Sequence, residues 1–486
     1  MRIAFATSEC VPFVKTGGLA DVSGALPKAL AKLGHQVKVF LPLYQSISVV
    51  EHGLIRATEL QGIPVSIGDK TVTFDVWYGH LPNSEVEVYL VDCPLYYHRP
   101  TIYTNDPDED ERFILLQHAV FQILQRYAWA PDILHANDWQ TALIPVYLKK
   151  NYSWDRLFDR TASLLTIHNI GYQGRFPKET LYKAGLSDDL FYPMGPYELE
   201  GAFSFLKAGI VFADVLNTVS PTYAREIQTP EFGAGLDGVL RMRSADLYGI
   251  LNGIDTEVWN PARDRFIVEP YDVHTLEKKQ KNKEALLEEM GLPYASEVPV
   301  IGIIARFTYQ KGLDLLKPIL ESLLRERAVQ FVVLGSGEQD LEDFFAWAAR
   351  TFTQQVAVYL GYNEPLSHRI EAGSDMFLMP SRYEPCGLNQ MYSLNYGTVP
   401  IVRKTGGLAD TVFDIHEYPD IGNGFSFVDI SPYALYVTIN RALDTWPNTD
   451  LWRTMQYRGM TTDFSWERSA RAYEDVYHKA LAKRRG

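Results

Sequence analysis

Short apolar runs alternate with amphipathic stretches along most of the chain, and the two periods can be followed in order. RIAFA (residues 2–6) reads as a buried strand, followed by a helical pattern over residues 22–33 that closes at Gly34 and by the strand QVKVFLPL. Residues 53–77 alternate in strand fashion, and VEVYLVD (86–92) predicts another strand. An acidic run at 106–111 precedes a helical pattern at 113–128, then the strand DILHA, a helix near 141–149 and the strand SLLTIHN. Strands that alternate with helices in this way predict a parallel sheet covered on both faces.

The pattern breaks around YGILNGID, where polar sequence (NPARDRF) leads into a Lys/Glu-rich helix near 277–290. From Pro299 a second series starts: VIGIIAR, a helix at 313–326, FVVLG, a helix at 338–351, VAVYLG, a helix near 366–371, MFLMP, a helix near 388–396, and VPIV. The expected architecture is α/β, with two Rossmann-like doubly wound domains facing an interdomain cleft. The expected division is 1–250 and 251–464, with the terminal helix at 465–486 returning to the first domain. A chain of 486 residues is long enough for two cores.

Composition narrows the function. A formal net charge of −14 argues against a nucleic-acid or anionic-membrane partner. An anionic ligand must therefore be held by local groups. The start, MRIAFATSECVPF, reads directly into a first strand, with no leader pattern and no apolar run of transmembrane length expected. Three scattered cysteines, Cys10, Cys93 and Cys386, have no metal spacing and suit a reducing compartment. That points to the cytoplasm, with the mature plastid form of an imported protein as the alternative. No oligomeric state can be read from the residues.

The heptapeptide KTGGLAD occurs twice, at 15–21 and 404–410, each time after an apolar strand. A strand, a Gly-Gly turn and a helix start offer backbone N–H groups and the positive end of a helix dipole, which is what a phosphate-holding loop needs. Lys15, Gly17 and Gly18 are therefore candidate phosphate contacts, and Asp21 is either a helix cap or a ligand contact. Neither a G-x-G-x-x-G fingerprint nor a Walker loop follows the first strand, which disfavours NAD and P-loop-bound triphosphates. Other strand ends carry His135-Ala136-Asn137-Asp138-Trp139, His168-Asn169, Arg306 with Lys311, and Ser381-Arg382-Tyr383-Glu384-Pro385-Cys386-Gly387. Arg306 and Lys311 suit two phosphate groups, Gly387 and Leu388 would open a helix toward the same ligand, and Glu384 is a sugar-side acceptor. Cations beside carboxylates imply group transfer from a diphosphate. Asp108-Glu109-Asp110 matches the D-x-D pattern of metal-dependent sugar transferases, yet its place in an acidic run before a helix favours a helix start, so no metal is expected.

These motifs together resemble the bacterial glycogen synthases and plant-type starch synthases over nearly the whole chain. The resemblance rests on KTGGLADVSGALPKAL, TIHNIGYQG, NTVSPTYAREI, GILNGID, ARFTYQKGLDLL, PSRYEPCGLNQMY and KTGGLADTV. It implies the GT-B architecture and retaining transfer of α-glucose from ADP-glucose to the nonreducing 4-hydroxyl of an α-1,4-glucan, without a metal or other cofactor. Carried over by motif, Lys15 contacts donor phosphate or helps close the cleft, Arg306 and Lys311 neutralise the departing diphosphate, and Glu384 steadies the oxocarbenium-like ring. Asp138 and His168 line the sugar and acceptor side, Asn252 meets a glucosyl hydroxyl, and Tyr362 lies on the adenine side. Thr405, Gly406 and Gly407 meet phosphate through the backbone, and Cys386, Gly387 and Leu388 belong to the substrate-binding E-P-C-G-L segment. The family is usually described by front-face departure and attack; a covalent Glu384 intermediate is the other route. Two departures from common patterns matter: Asn137 and Gln140 replace histidines of the bacterial H-x-H-D-W-H, and Tyr392 stands where related transferases place a ribose-binding Glu, so no ribose role is assigned to it. Alternatives are the same fold with UDP-glucose or a small acceptor, or a non-catalytic glucan-binding scaffold.

Overall fold

In the computed structural model, which describes residues 1–485, the chain forms two units: Met1–Gly253 with the helix from Trp466 onward, and Ile254–Ser465. In the first, a parallel series runs Leu247–Gly249, Val215–Thr218, Ala162–Ile167, Ile133–Asn137, Arg2–Ala6, Gln36–Pro42 and Glu87–Asp92 across a ten-stranded sheet. The stretch read as one alternating segment is an antiparallel addition. Lys70–His80 pairs antiparallel with Glu87–Asp92 and also with Ile55–Arg56 and Ile63–Ile67. Its pattern differs for a physical reason: Ile63–Ile67 is buried on alternate residues, whereas Ala162–Ile167 is buried throughout. A small antiparallel sheet of Arg175–Phe176, Glu198–Leu199 and Ala202–Ser204 was not legible in the periodicity.

Side chains of the terminal helix Trp466–Arg485 hold it on the first unit. The Tyr477 hydroxyl lies 2.8 Å from His135 Nδ1, and the other ring nitrogen of His135 is 2.7 Å from Thr166 Oγ1. Asn217 Nδ2 donates to the Tyr473 hydroxyl at 3.1 Å. His135, read as part of a chemical cluster, is thus a satisfied core histidine whose burial pushes its pKa well down.

The second unit is a six-stranded, all-parallel sheet in the order Val356–Leu360, Gln330–Gly337, Val300–Phe307, Met376–Met379, Val399–Arg403 and Phe425–Phe427. Successive residues serve different cores: Ile301, Phe331 and Val333 join one cluster, while Val300, Val332 and Leu334 join another. Period-two direction buries both faces, so these strands read as continuous apolar runs.

Both sheets reverse strand order at one place. In the first unit, the neighbours of Arg2–Ala6 are Gln36–Pro42 on one side and Ile133–Asn137 on the other. In the second, Val300–Phe307 lies between Gln330–Gly337 and Met376–Met379. Loops leaving adjacent carboxyl ends diverge at such a point, which opens room for a ligand.

Candidate active site

The switch point of the second unit gathers the densest chemistry. Lys311 follows Val300–Phe307 and Glu384 follows Met376–Met379. The Lys311 ammonium donates to both Glu384 oxygens, at 3.0 and 2.8 Å, and the Ser381 hydroxyl donates to Oε2 at 2.9 Å. Glu384 is 6% exposed and the Lys311 side chain 18%, so the pair is partly desolvated, the carboxylate more than the ammonium. Arg306 is exposed at the end of its strand and makes no ion pair among the described residues.

Groups to which the motifs assigned no role hold the two loops in register. Arg382 makes a bidentate pair with Asp314 at 2.6 and 2.8 Å and lies 3.7 Å over the Tyr309 ring. Buried Arg403 donates Nε to the Ser381 carbonyl at 2.8 Å, and its Nη2 meets the Arg382 carbonyl. At Gly312, φ is +68° and a Cβ would lie 2.0 Å from the Pro380 carbonyl oxygen, so only glycine lets the loops approach this closely. The lysine and the carboxylate are therefore placed from both sides.

Several expectations at this end change. The helix expected at Gly387 starts at Asn389, with Leu388 as its cap residue and Gly387 at φ +73°. The Gly407 N–H, expected to meet phosphate, donates instead to the Glu384 and Pro385 carbonyls at 3.1 and 3.2 Å. Gly406 has φ +47°, and Thr405 and Cys386 are buried beside the same segment. The second loop thus buttresses the Glu384 turn. Tyr362 is 81% exposed and presents its ring outward. Tyr392 stacks on Trp259, with centroids 3.9 Å apart and planes 9° apart, and His368 covers the other face of Trp259.

At the switch point of the first unit, buried Glu9 accepts from the Thr16 N–H at 2.6 Å, the Thr16 hydroxyl at 2.6 Å and the Gly17 N–H at 3.2 Å. The Tyr103 hydroxyl donates to it at 2.5 Å. An internal carboxylate therefore takes the first amides that the Gly-Gly turn was expected to offer. The only sequence signal for Glu9 was an acid just past the first strand. The helix starts at Gly18 with Gly17 as its cap residue; Asp21 is not the cap and accepts from Lys15 Nζ at 2.8 Å.

Asp138 stands at φ 58°, a left-handed conformation that costs a non-glycine residue about 1–3 kcal/mol. Its Oδ1 accepts from the His168 N–H at 2.7 Å, yet burial without a cation pushes its pKa up to about 7. Glu9 adds to that rise by like-charge repulsion. Asn137 Nδ2 donates to the Ala6 carbonyl at 2.9 Å, leaving its Oδ1 to accept from His168 Nε2 at 2.9 Å. His168, pushed down to about 3 by burial, is a neutral imidazole with its proton on Nε2. Asn137, the departure from the bacterial pattern, thereby sets the tautomer. Asn252 is buried with Oδ1 unpartnered, and so is Gln140 Oε1. The D-x-D carboxylates are tied to separate groups: Asp108 to Arg99, Glu109 to Arg112, and Asp110 to Lys183. They form a helix start, as their position predicted.

Two doubly wound units, with a lysine–carboxylate pair and an unpaired arginine at a switch point, define a glycosyltransferase of the GT-B type. Residues 2–242 match the family model of the starch synthase catalytic domain, and residues 291–457 match glycosyl transferases group 1. The chain is 46% identical to the glycogen synthase of Syntrophotalea carbinolica over 99% of both chains, and 47% identical to that of Moorella thermoacetica over 100% of this chain and 98% of the relative. The catalytic domain of starch synthase IV from Arabidopsis thaliana, solved bound to ADP and acarbose, superposes with a TM-score of 0.90 at 34% identity over 99% of each chain. The chain belongs to the glycogen and starch synthase family, and its activity is glucosyl transfer in α-glucan synthesis.

Proposed function

We propose that the chain transfers glucose from ADP-glucose to the nonreducing 4-hydroxyl of an α-1,4-glucan, with retention and without a metal or cofactor. The observation that carries this reading is the Lys311–Glu384 pair beside the unpaired Arg306. Arg306 and Lys311 take up charge as the diphosphate departs, which is the work a divalent ion performs in metal-dependent transferases. Glu384 faces the positive charge that develops on the glucosyl ring. Its oxygens are engaged by Lys311 and Ser381, which weakens it as a nucleophile and favours front-face departure and attack. In that route the bond from the anomeric carbon to the diphosphate oxygen breaks as the acceptor oxygen bonds the same face. The acceptor proton passes to the leaving phosphate oxygen.

Asp138 and the neutral His168 are assigned to the sugar and acceptor, and Asn252 Oδ1 to a glucosyl hydroxyl. Lys15 is assigned to donor phosphate, with Gly18 as the amide contact beside it, and Tyr362 to the adenine. Three buried, unbridged cysteines fit a cytoplasmic setting. No helix among the described residues is long and apolar enough to cross a membrane.

Pure protein given glycogen and ADP-glucose without added metal should release ADP, and UDP-glucose should be a poorer donor. Absence of nucleoside diphosphate from both donors would sink the reading. Lys311→Ala should lower kcat by about 100-fold or more, because the charge acts chiefly in the transition state. A rise in KM at unchanged kcat would contradict that role.

A further inference from the structure

Four consecutive carbonyls of the Glu384 turn point inward. Those of Glu384 and Pro385 accept from the Gly407 N–H at 3.1 and 3.2 Å. Those of Cys386 and Gly387 accept from Gln390 Nε2 at 2.9 and 3.0 Å. Across a trans peptide the C=O of one residue and the N–H of the next point opposite ways, and the turn holds no cis bond. The Gly387 and Leu388 N–H groups therefore turn away from Gln390. Both residues are partly exposed, and neither N–H has an acceptor among the described residues.

Gln390 is fully buried, and its side chain does more than fill space. Nε2 also reaches Thr411 Oγ1 at 3.3 Å, at the end of the helix Gly406–Thr411, and that hydroxyl donates to the Gly407 carbonyl at 2.7 Å. The other end of the carboxamide, Oε1, has no partner, which is costly for a buried oxygen. An apolar residue of the same size would carry no such cost. Only the NH2 end can satisfy two carbonyls, so the orientation is set by what the turn needs.

The turn is also fixed against the reacting groups. At Gly387, φ is +73°, and a Cβ would lie 2.6 Å from Gln390 Oε1 and 3.0 Å from Glu384 Cγ. The backbone of Gly387 thus sits between the Gln390 carboxamide and the Glu384 side chain. Beside it, Asn389 Nδ2 donates to the Ile304 carbonyl at 3.0 Å, two residues before Arg306 on the strand Val300–Phe307.

We propose that Gln390 is a positioning residue for glucosyl transfer. By taking the Cys386 and Gly387 carbonyls it holds the Gly387 and Leu388 N–H groups outward, beside Glu384, as two fixed donors to the diphosphate. The identity of the anion rests on the proposed function. Successive N–H groups turned to one side of a turn make an anion-binding concavity. Their direction is set before the bond to the diphosphate breaks, so they add to Arg306 and Lys311 without reorganising. Gln390, buried behind the turn, acts only through these amides.

Hydrogen exchange on the full-length wild-type protein tests the amides, with ADP, UDP and adenosine as separate probes. ADP should slow exchange at residues 387–388 several-fold, and adenosine, which has no phosphate, should not. Gln390→Met keeps the length of the side chain and removes the donors. It should raise the Kd for ADP about tenfold or more and lower kcat by a similar factor. The Kd for adenosine and the KM for glycogen should stay within about twofold. Gln390→Glu keeps the size and puts acceptors where donors are needed, so it should weaken ADP at least as much and guards against a folding fault in the first variant. No slowing at residues 387–388 with either ADP or UDP overturns the proposal. So does a folded variant with wild-type ADP affinity and kcat, and so does equal weakening of ADP and adenosine, which would mark a packing role alone. ADP protection that is lost with Gln390, in protein that releases no nucleoside diphosphate from either sugar donor, would overturn the proposed function and leave the role of Gln390 standing.

Discussion

In the first KTGGLAD loop both glycines look onto open space: a Cβ on Gly17 or Gly18 would meet nothing within 4 Å. In the second, a Cβ on Gly406 would lie 1.8 Å from the Glu384 carbonyl oxygen, and one on Gly407 would lie 2.0 Å from the Cys386 carbonyl oxygen. The first loop opens a fifteen-residue helix, Gly18–Lys32, and its leading amides are held by the Glu9 carboxylate. The second opens a six-residue helix, Gly406–Thr411, and its Gly407 amide is spent on backbone carbonyls. Lys15 turns to Asp21 at 2.8 Å, whereas Lys404 turns to Glu417 at 2.9 Å. Identical residues thus form an open turn in one unit and a packing wedge beneath the Glu384 turn in the other. The glycines share a name and not a job.

The glycines separate these roles by the largest margin. Gly406→Ala and Gly407→Ala should each destabilise the protein by about 3 kcal/mol or more and abolish most ADP release, since an alanine Cβ has to displace the Glu384 turn. Gly17→Ala and Gly18→Ala should melt within about 0.5 kcal/mol of the wild type. Any activity they lose then reports a ligand contact. Thermal melts beside ADP-release kinetics decide it, and equal destabilisation at both loops would erase the distinction.

Glu9→Gln should have an intermediate effect, a loss of about 1–2 kcal/mol in thermal unfolding, because a neutral amide replaces charge-assisted acceptance from Thr16 and Gly17. It should also lower the Asp138 pKa, since one like charge that raises it is removed. A Glu9→Gln protein with wild-type stability would show that the first loop needs no internal anion.

The smallest effects belong to the lysines. Both ion pairs are partly exposed, with side-chain exposures of 49% and 26% for Lys15–Asp21 and 32% and 49% for Lys404–Glu417. Lys15→Ala and Lys404→Ala should each change stability by less than about 1 kcal/mol. Only Lys15→Ala should raise the KM for ADP-glucose, and a matching rise for Lys404→Ala would make the two loops functionally alike after all.

Much of the fold was legible because buried parallel strands are short apolar runs, and helices between them keep their own period. The antiparallel additions were not, since Ile63–Ile67 and Lys70–His80 alternate like any half-buried strand and carry no mark of their partner. At the site, Lys311 and Glu384 stood out by charge at strand ends. Glu9 and Arg403 did not, and Arg382 was named in the Glu384 cluster without a role, because their work is to hold loops that only converge once the sheet forms. His135 misled in the other direction: a polar residue in a dense motif proved to be a core group held by Tyr477 and Thr166.

By itself the sequence determined the two α/β series, the absence of a dinucleotide fingerprint and the positions of the charged strand ends, because these follow from local period and residue type. Tertiary structure decided which amides remain available, how Asn137 orients His168, and that Asp138 is buried without a cation. It also decided that one KTGGLAD loop lies open while the other is packed against the Glu384 turn. The physical reason is that hydrogen-bond partners and desolvation are set by neighbours distant in sequence, and two identical segments can be given entirely different neighbours.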